Sequence, residues 1–234
     1  AAGHLGGTVV EKLLARGEQV RALVLPGEAH PPAGAAIYTG DVCRKESLAD
    51  FFARPAGESL IVIHCAGIVT IASKYRQSVY DVNVTGTANI VELCREHGVE
   101  KLVYVSSVHA IPERPRGEII TEISDFDPER VSGLYARTKT EATMCVLAAA
   151  KKGLNACVVH PSGICGPGDN GRGHMSTMVI DFCRRRLTAA IRGGYDFVDV
   201  RDVADSILAC CGKGRAGECY ILSGRYCKIG EILE

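Results

Sequence analysis

Five short runs rich in β-branched and aliphatic residues recur along the chain: QVRALVL, AAIYTGDV, SLIVIHCAG, KLVYVSS and NACVVHPSG. Runs so short and so evenly apolar read as strands buried on both faces. The longer stretches around them carry apolar residues three and four apart, the period of a helix with one buried side. Val9, Val10, Leu13 and Leu14 make one such stripe, Val84, Ala88, Val91 and Cys94 a second, and Ala142, Val146 and Ala149 a third. Gly98 and Gly153 stand where the last two of these helices should be capped. Strand, helix, strand with short joints leaves one arrangement: α/β, a doubly wound parallel sheet covered by helices on both faces, the Rossmann fold.

The chain opens with AAGHLGG, followed by the helical run TVVEKLLARG. Gly3 and Gly6 fit the last two glycines of a G-x-x-G-x-x-G turn, so Gly3, His4, Leu5 and Gly6 are candidate phosphate contacts. The first glycine and the strand before it would precede Ala1, so the first strand of the sheet is expected to be missing from this sequence. The chain is read as a fragment of a longer protein. Beyond Gly163 the pattern loosens into the glycine-rich stretches GICGPGDNGRG and IRGGYDF. It resumes with a helix around DVADSILACC, a strand at CYILSG and a helix barely begun at IGEILE. This divides the chain into a dinucleotide-binding core at 1–163 and, at 164–234, last sheet elements interleaved with an incomplete substrate-binding lobe.

Several classes of function are set aside by composition. The 234 residues balance 27 basic against 27 acidic side chains, which argues against a nucleic-acid partner. Arg184, Arg185 and Arg186, the densest basic run, read as a solvated helix end. LIVIHCAGIVTIA is too short and too interrupted to cross a bilayer. The eleven cysteines are odd in number, lack C-x-x-C spacing and lie mostly in apolar runs, as buried thiols of a reducing, cytoplasmic compartment would. Without metal-ligand spacing among the histidines, no metal is expected.

KLVYVSS ends in Ser106-Ser107, and 28 residues after Ser107 comes Tyr135, followed four residues on by Lys139. Positions i and i+4 share a helix face, so phenol and ammonium can point into one cleft. A free tyrosine titrates near ~10, and a nearby ammonium is expected to lower that value. A serine hydroxyl from the neighbouring strand end would then bind a substrate oxygen while Tyr135 moves a proton at it.

The pieces GHLGG, GDV, HCAG, NVTGT, YVSS, YARTK, HPSGICGPGD and DFVDVRDVAD run nearly end to end. In content and order they resemble the extended short-chain dehydrogenase/reductases, the NAD-dependent epimerase/dehydratase family. That resemblance implies Ser107, Tyr135 and Lys139 as catalytic residues, with Tyr135 the acid/base and Lys139 also holding the nicotinamide ribose. It implies Asp41 and Val42 beside adenine, Ala66 and Gly67 along the cofactor trough, and Pro161, Ser162, Gly163 and Ile164 against the nicotinamide. Asn83, in NVTGT, is expected to fix local backbone. The family's dehydratases carry Thr-Asp-Glu where this chain has Ser107-Val108-His109, which removes the carboxyl pair dehydration needs. SSVHAIPE and FDPERVSGLYARTK look most similar to the dihydroflavonol-reductase-like branch. Hydride transfer between nicotinamide and a carbonyl or secondary alcohol is therefore favoured. A nucleotide-sugar epimerase and a non-catalytic NAD(P)-binding module stay as alternatives. His109 is read as a loop histidine, with a substrate contact as the other option. The cofactor is NAD or NADP: Leu25 stands where a selective acidic or basic residue is expected, Arg21 and His4 decide nothing, and the lean is to NAD. Small-molecule substrates follow, and a homodimer through the pair of helices that includes the Tyr135 helix is possible by analogy.

Overall fold

The computed structural model describes residues 1–28, 30–55, 57–72, 74–115, 117–169, 173–187 and 193–233. In chain order the elements are α1 (His4–Ala15), β1 (Arg21–Val24), β2 (Ala36–Thr39), α2 (Ala49–Phe52), β3 (Ile61–His64), α3 (Gln77–Tyr80), α4 (Gly86–Glu96), β4 (Lys101–Val105) and α5 (Leu134–Lys151). There follow β5 (Ala156–Pro161), β6 (Gly163–Cys165), α6 (His174–Cys183), β7 (Gly194–Asp199), α7 (Val200–Lys213), β8 (Cys219–Leu222), β9 (Arg225–Lys228) and α8 (Ile229–Ile232). Each of the five runs singled out in the sequence is a strand.

β3, β4, β5 and β8 form a parallel sheet in that order, with Val103 opposite Ile63 on one side and Cys157 on the other. Because side chains alternate across a strand, the sheet feeds two cores. Leu102, Tyr104 and Val158 face Ile90, Val91, Ala142 and Val146 of α4 and α5. Val103, Val105 and Val159 face Val9, Val203 and Ile207 of α1 and α7. A sheet apolar on both faces needs helices on both, and these stripes supply them.

β1 and β2 pair in parallel as a separate two-stranded piece. Between β1 and β3 runs a cleft of about 540 Å³ lined by Leu23, Val62, Ile63, Val9 and Leu208. A third sheet holds β6 and β7 in parallel and β9 antiparallel to β7. The glycine-rich region past Gly163, loose in its sequence pattern, nevertheless builds β6 and β7. Residues 170–172 and 191–192 of those stretches lie outside the described residues.

The second helical stripe also shifts. A single π-helical turn over Asp81–Thr85 joins α3 to α4. That extra residue per turn rotates the buried set to Asn83, Thr87, Ile90, Val91 and Cys94, while Val84 and Ala88 are only half-buried. α4 and α5 end as anticipated, at Gly98 (φ +55°) and Gly153 (φ +97°). Arg184 caps α6, and all three arginines of the basic run are exposed. Among the described residues no helix is long and apolar enough to cross a membrane, and none group as a metal site.

Candidate active site

The candidate residues gather where parallel strands release their carboxyl ends, the edge at which doubly wound sheets bind ligands. β3 leads to Ala66 and Gly67, β4 to Ser107, and β5 to Pro161 and Ser162. The glycine turn is tied to β1 through Ala1, whose backbone nitrogen lies 2.6 Å from the Leu23 carbonyl oxygen. Gly6 lies so close to Ala1 that a Cβ there would stand 2.9 Å from the Ala1 carbonyl oxygen. α1 begins after Gly3 with no side-chain cap and no acidic residue in its first turn. Its first N–H groups and its positive dipole end are thus available to an anion.

Tyr135 and Lys139 project from α5 toward β4. The Lys139 ammonium is buried and donates to the Val105 carbonyl (2.7 Å) and the Tyr104 phenol (3.1 Å), lying 4.7 Å from the Tyr104 ring centre. Burial brings its pKa down to about 7. Tyr104 is itself wholly buried and stacks on His64, whose ring is held neutral by burial and by Lys139, its pKa down at about 3. His64 hydrogen-bonds Thr87 (3.0 Å). The ammonium therefore sits on a polar stack inside the core.

Tyr135 departs from expectation in one respect. Its phenol is pushed above the usual tyrosine value by burial, and the neighbouring Ser107 hydroxyl pulls it part of the way back. Lys139 does not lower it. The reason is geometric: the ammonium is spent on Val105 and Tyr104, and in a water-poor site desolvation outweighs what attraction remains. Ser107 is placed by the short turn it starts. Its hydroxyl oxygen accepts the His109 N–H (3.2 Å), which leaves the hydroxyl proton for Tyr135 or a substrate oxygen. The neighbouring Ser106 is used structurally, bonded to Thr143 (2.7 Å).

Gly67 closes the trough over these groups. A Cβ there would lie 3.3 Å from Asn83 Oδ1 and 3.6 Å from Lys139 Nζ. Asn83 holds the backbone as anticipated: it accepts from Ile68 N (2.8 Å), donates to Ile68 O (3.1 Å) and donates to Thr138 (3.0 Å). His4 bonds the Pro167 carbonyl (2.9 Å), which joins the glycine turn to the loop after β6. Ser162 Oγ is buried without a hydrogen-bond partner among the described atoms. Asp41 accepts the Cys43 N–H (2.9 Å) and so caps its own turn, while Val42 is buried against Gly86. These two are brought to the sheet edge, where their hydrogen bonds go to Cys43, Ser47 and Asn89 rather than to Ser107, Tyr135 or Lys139. Arg21 is at the opposite, amino end of β1, bonded to Phe51 and Ala53 carbonyls and paired with Glu58. Leu25, at the carboxyl end, is exposed.

Sequence reasoning missed one wall of the site. Tyr195 of β7 stacks on His109 with ring centres 5.8 Å apart, and its hydroxyl is 3.1 Å from His109 Nε2. His109 in turn meets the Tyr135 ring edge-on at 6.0 Å, and Phe197 meets Tyr195 at 5.7 Å. Gly193 and Gly194 mask the short alternation Tyr195-Asp196-Phe197, and the pairing of β7 with β6 brings Tyr195 to Tyr135 through His109. His109, read from sequence as a loop histidine, is part of this wall. Gly163 is pinned beneath it: a Cβ would stand 2.8 Å from Phe197, 2.9 Å from Tyr195 and 3.0 Å from the Asp196 carbonyl. Gly163→Ala is expected to destabilise the protein by about 1–3 kcal/mol, visible as a lower thermal midpoint; an unchanged midpoint would contradict this packing.

The NAD dependent epimerase/dehydratase family model matches residues 1–223. Sterol demethylase protein B of Methylococcus capsulatus is 36% identical over 239 residues, covering 100% of this chain and 71% of that protein. A putative dihydroflavonol 4-reductase of Synechocystis sp. is 30% identical over 241 residues, covering 99% of this chain and 68% of that protein. The UDP-glucose 4-epimerase of Thermus thermophilus, solved in complex with NAD, superposes with a TM-score of 0.83 at 27% identity, over 99% of this chain and 78% of that one. A parallel sheet opening at its carboxyl edge onto a glycine turn, with the family's sequence pattern spread over nearly all of the chain, makes this protein a member of the NAD dependent epimerase/dehydratase family.

Proposed function

We propose that this protein is an NAD-dependent oxidoreductase that interconverts a ketone and a secondary alcohol on a ring-containing, largely apolar substrate. The observation that carries this reading is the placing of the Tyr135 phenol, beside Ser107 and at the foot of the His109–Tyr195 wall. Tyr135 gives a proton to, or takes one from, the substrate oxygen, and Ser107 donates a hydrogen bond to that oxygen. Burial keeps the phenol protonated at neutral pH, which suits it to act as the general acid of ketone reduction.

The residues present fit a dinucleotide: an uncapped helix N-terminus for the pyrophosphate, Gly67 without a side chain beside Lys139, and a hydroxyl at Ser162 unpartnered among the described atoms. Gly3, His4, Leu5 and Gly6 would take the phosphates, Asp41 and Val42 the adenine side, and Ala66 and Gly67 the middle of the trough. Tyr135 and Lys139 would hold the ribose, and Pro161, Ser162, Gly163 and Ile164 the nicotinamide. Bound NAD supplies the hydride donor or acceptor. Leu25 and the engaged Arg21 offer no grip on a ribose 2′-phosphate, which supports NAD over NADP.

Nucleotide-sugar epimerisation is the second reading, favoured by the likeness to the Thermus enzyme. The wall of His109, Tyr135, Tyr195 and Phe197 is built of aromatic rings, and this favours a ring-containing, apolar substrate. The relatives' names, sterol demethylase protein B and putative dihydroflavonol 4-reductase, point the same way. The test is titration of the full-length protein with NADH and NADPH, followed by a panel of cyclic ketones, cyclic secondary alcohols and UDP-sugars. Tighter NADH binding and turnover of cyclic ketones are expected. Saturable binding of neither nucleotide would end the reading, and turnover confined to UDP-sugars would replace it with the epimerase.

A further inference from the structure

We propose that His160 is a positioning residue for Ser107: its ring N–H, given to the Ser107 carbonyl, sets where the serine hydroxyl stands against Tyr135. The proposal rests on the oxidoreductase reading above and adds a residue to that site. The backbone ladder between β4 and β5 ends where Ser106 N–H reaches the Val159 carbonyl (2.8 Å). Pro161 has no N–H with which to carry the ladder one step further. At that point the link between the two strands passes to a side chain, with His160 Nδ1 2.9 Å from the Ser107 carbonyl oxygen. A carbonyl only accepts, so Nδ1 carries the proton.

The same carbonyl accepts the Ala110 N–H (3.0 Å), which closes the short turn, and the Ser107 hydroxyl oxygen accepts the His109 N–H. Three donors thus fix one serine, and His160 is the one that comes from another strand. Its ring is completely buried and lies flat on Phe126, 5.5 Å between centres and 10° between planes, so it has little freedom to turn. Burial also lowers its pKa to about 4, which keeps the ring neutral and the donor in place at ordinary pH. Nε2 has no partner among the described atoms. An aliphatic side chain would fill this space without stranding a ring nitrogen, which is unfavourable in a core. What the imidazole adds is a cross-strand donor to the Ser107 carbonyl, one residue beyond the point where Pro161 ends the ladder.

Three replacements separate positioning from packing. His160→Asn puts an N–H where Nδ1 stands, His160→Gln puts it one bond further out, and His160→Leu supplies none. The Leu and Gln proteins are expected to lose about 100-fold in kcat with NADH affinity unchanged, and the Asn protein to recover most of it. A second readout does not need turnover: the Tyr135 phenol titration, followed by NMR of ¹³Cζ-labelled tyrosine in the NAD-loaded protein. It is expected to move to higher pH in His160→Leu, where Ser107 no longer bonds the phenol well, and to return in His160→Asn. Equal kcat and equal titration in all variants would overturn the proposal. So would losses in Asn as large as in Leu, tracking lowered melting temperature. Should the wild type transfer no hydride to any substrate, the oxidoreductase reading falls, and the Tyr135 titration alone decides the link between His160 and Ser107.

Discussion

Tyr135→Phe is expected to turn over roughly 10²- to 10⁴-fold more slowly than the wild type, the usual contribution of a positioned proton-transfer group. Only the oxygen is removed. The ring remains to meet His109, and the burial of α5 through Ala142, Val146 and Ala149 is untouched, so the fold should hold. NAD binding should weaken by no more than about tenfold, the loss of one hydrogen bond. Steady-state kinetics alongside nucleotide titration checks both halves. A kcat within a few-fold of wild type would remove Tyr135 from the chemistry. Loss of nucleotide binding in parallel with kcat would make it a binding residue instead.

Lys139→Met should abolish turnover to a similar degree while changing stability in a pH-dependent way. The lysine's folded pKa is about 7, below the ordinary 10.5. Below pH 7 both folded and unfolded chains carry the proton. Between about 7 and 10.5 only the unfolded chain carries it, so unfolding takes up a proton and stability rises with pH across that window. The origin is the burial of a charge, a penalty on the order of a few kcal/mol present at and below neutral pH. Methionine has no such penalty, although the Val105 carbonyl and Tyr104 phenol each lose a donor worth about 1 kcal/mol. The melting temperature of the Met protein is therefore expected to equal or exceed that of the wild type at pH 6, and the wild type should gain on it between pH 7 and 9.5. Other groups titrate in the same range, and the difference between the two proteins cancels them. A constant difference across that range would mean that Lys139 keeps an ordinary pKa.

The strands and the three principal helices were legible because each is a local pattern repeated over many residues. QVRALVL and KLVYVSS read as strands without reference to anything distant, and Ala142, Val146 and Ala149 are buried as their spacing implies. The pairing of Ser107 with Tyr135 was legible for a similar reason: both stand at ends of strongly patterned elements whose order the sheet dictates. Val84 and Ala88 were misplaced because one π turn shifts helical phase by less than any pattern can register. β7 was missed since the alternation of Tyr195, Asp196 and Phe197 is too short, and too close behind Gly193 and Gly194, to stand out before it pairs with β6.

Electrostatics divides the same way. The spacing of Tyr135 and Lys139 established that both side chains face one cleft, which is a matter of helix geometry alone. Whether the ammonium would lower the phenol depended on where its hydrogen bonds went, and those partners, Val105 and Tyr104, lie 34 and 35 residues away. Fold class and family were determined by sequence alone, as was the choice of Ser107, Tyr135 and Lys139 as candidates, since these follow from local periodicity and motif order. The wall of His109 and Tyr195, the bond from His160 to the Ser107 carbonyl and the protonation of Tyr135 and Lys139 were decided by tertiary structure. Each depends on distance and on exclusion of water, and neither exists until distant strands have been brought side by side.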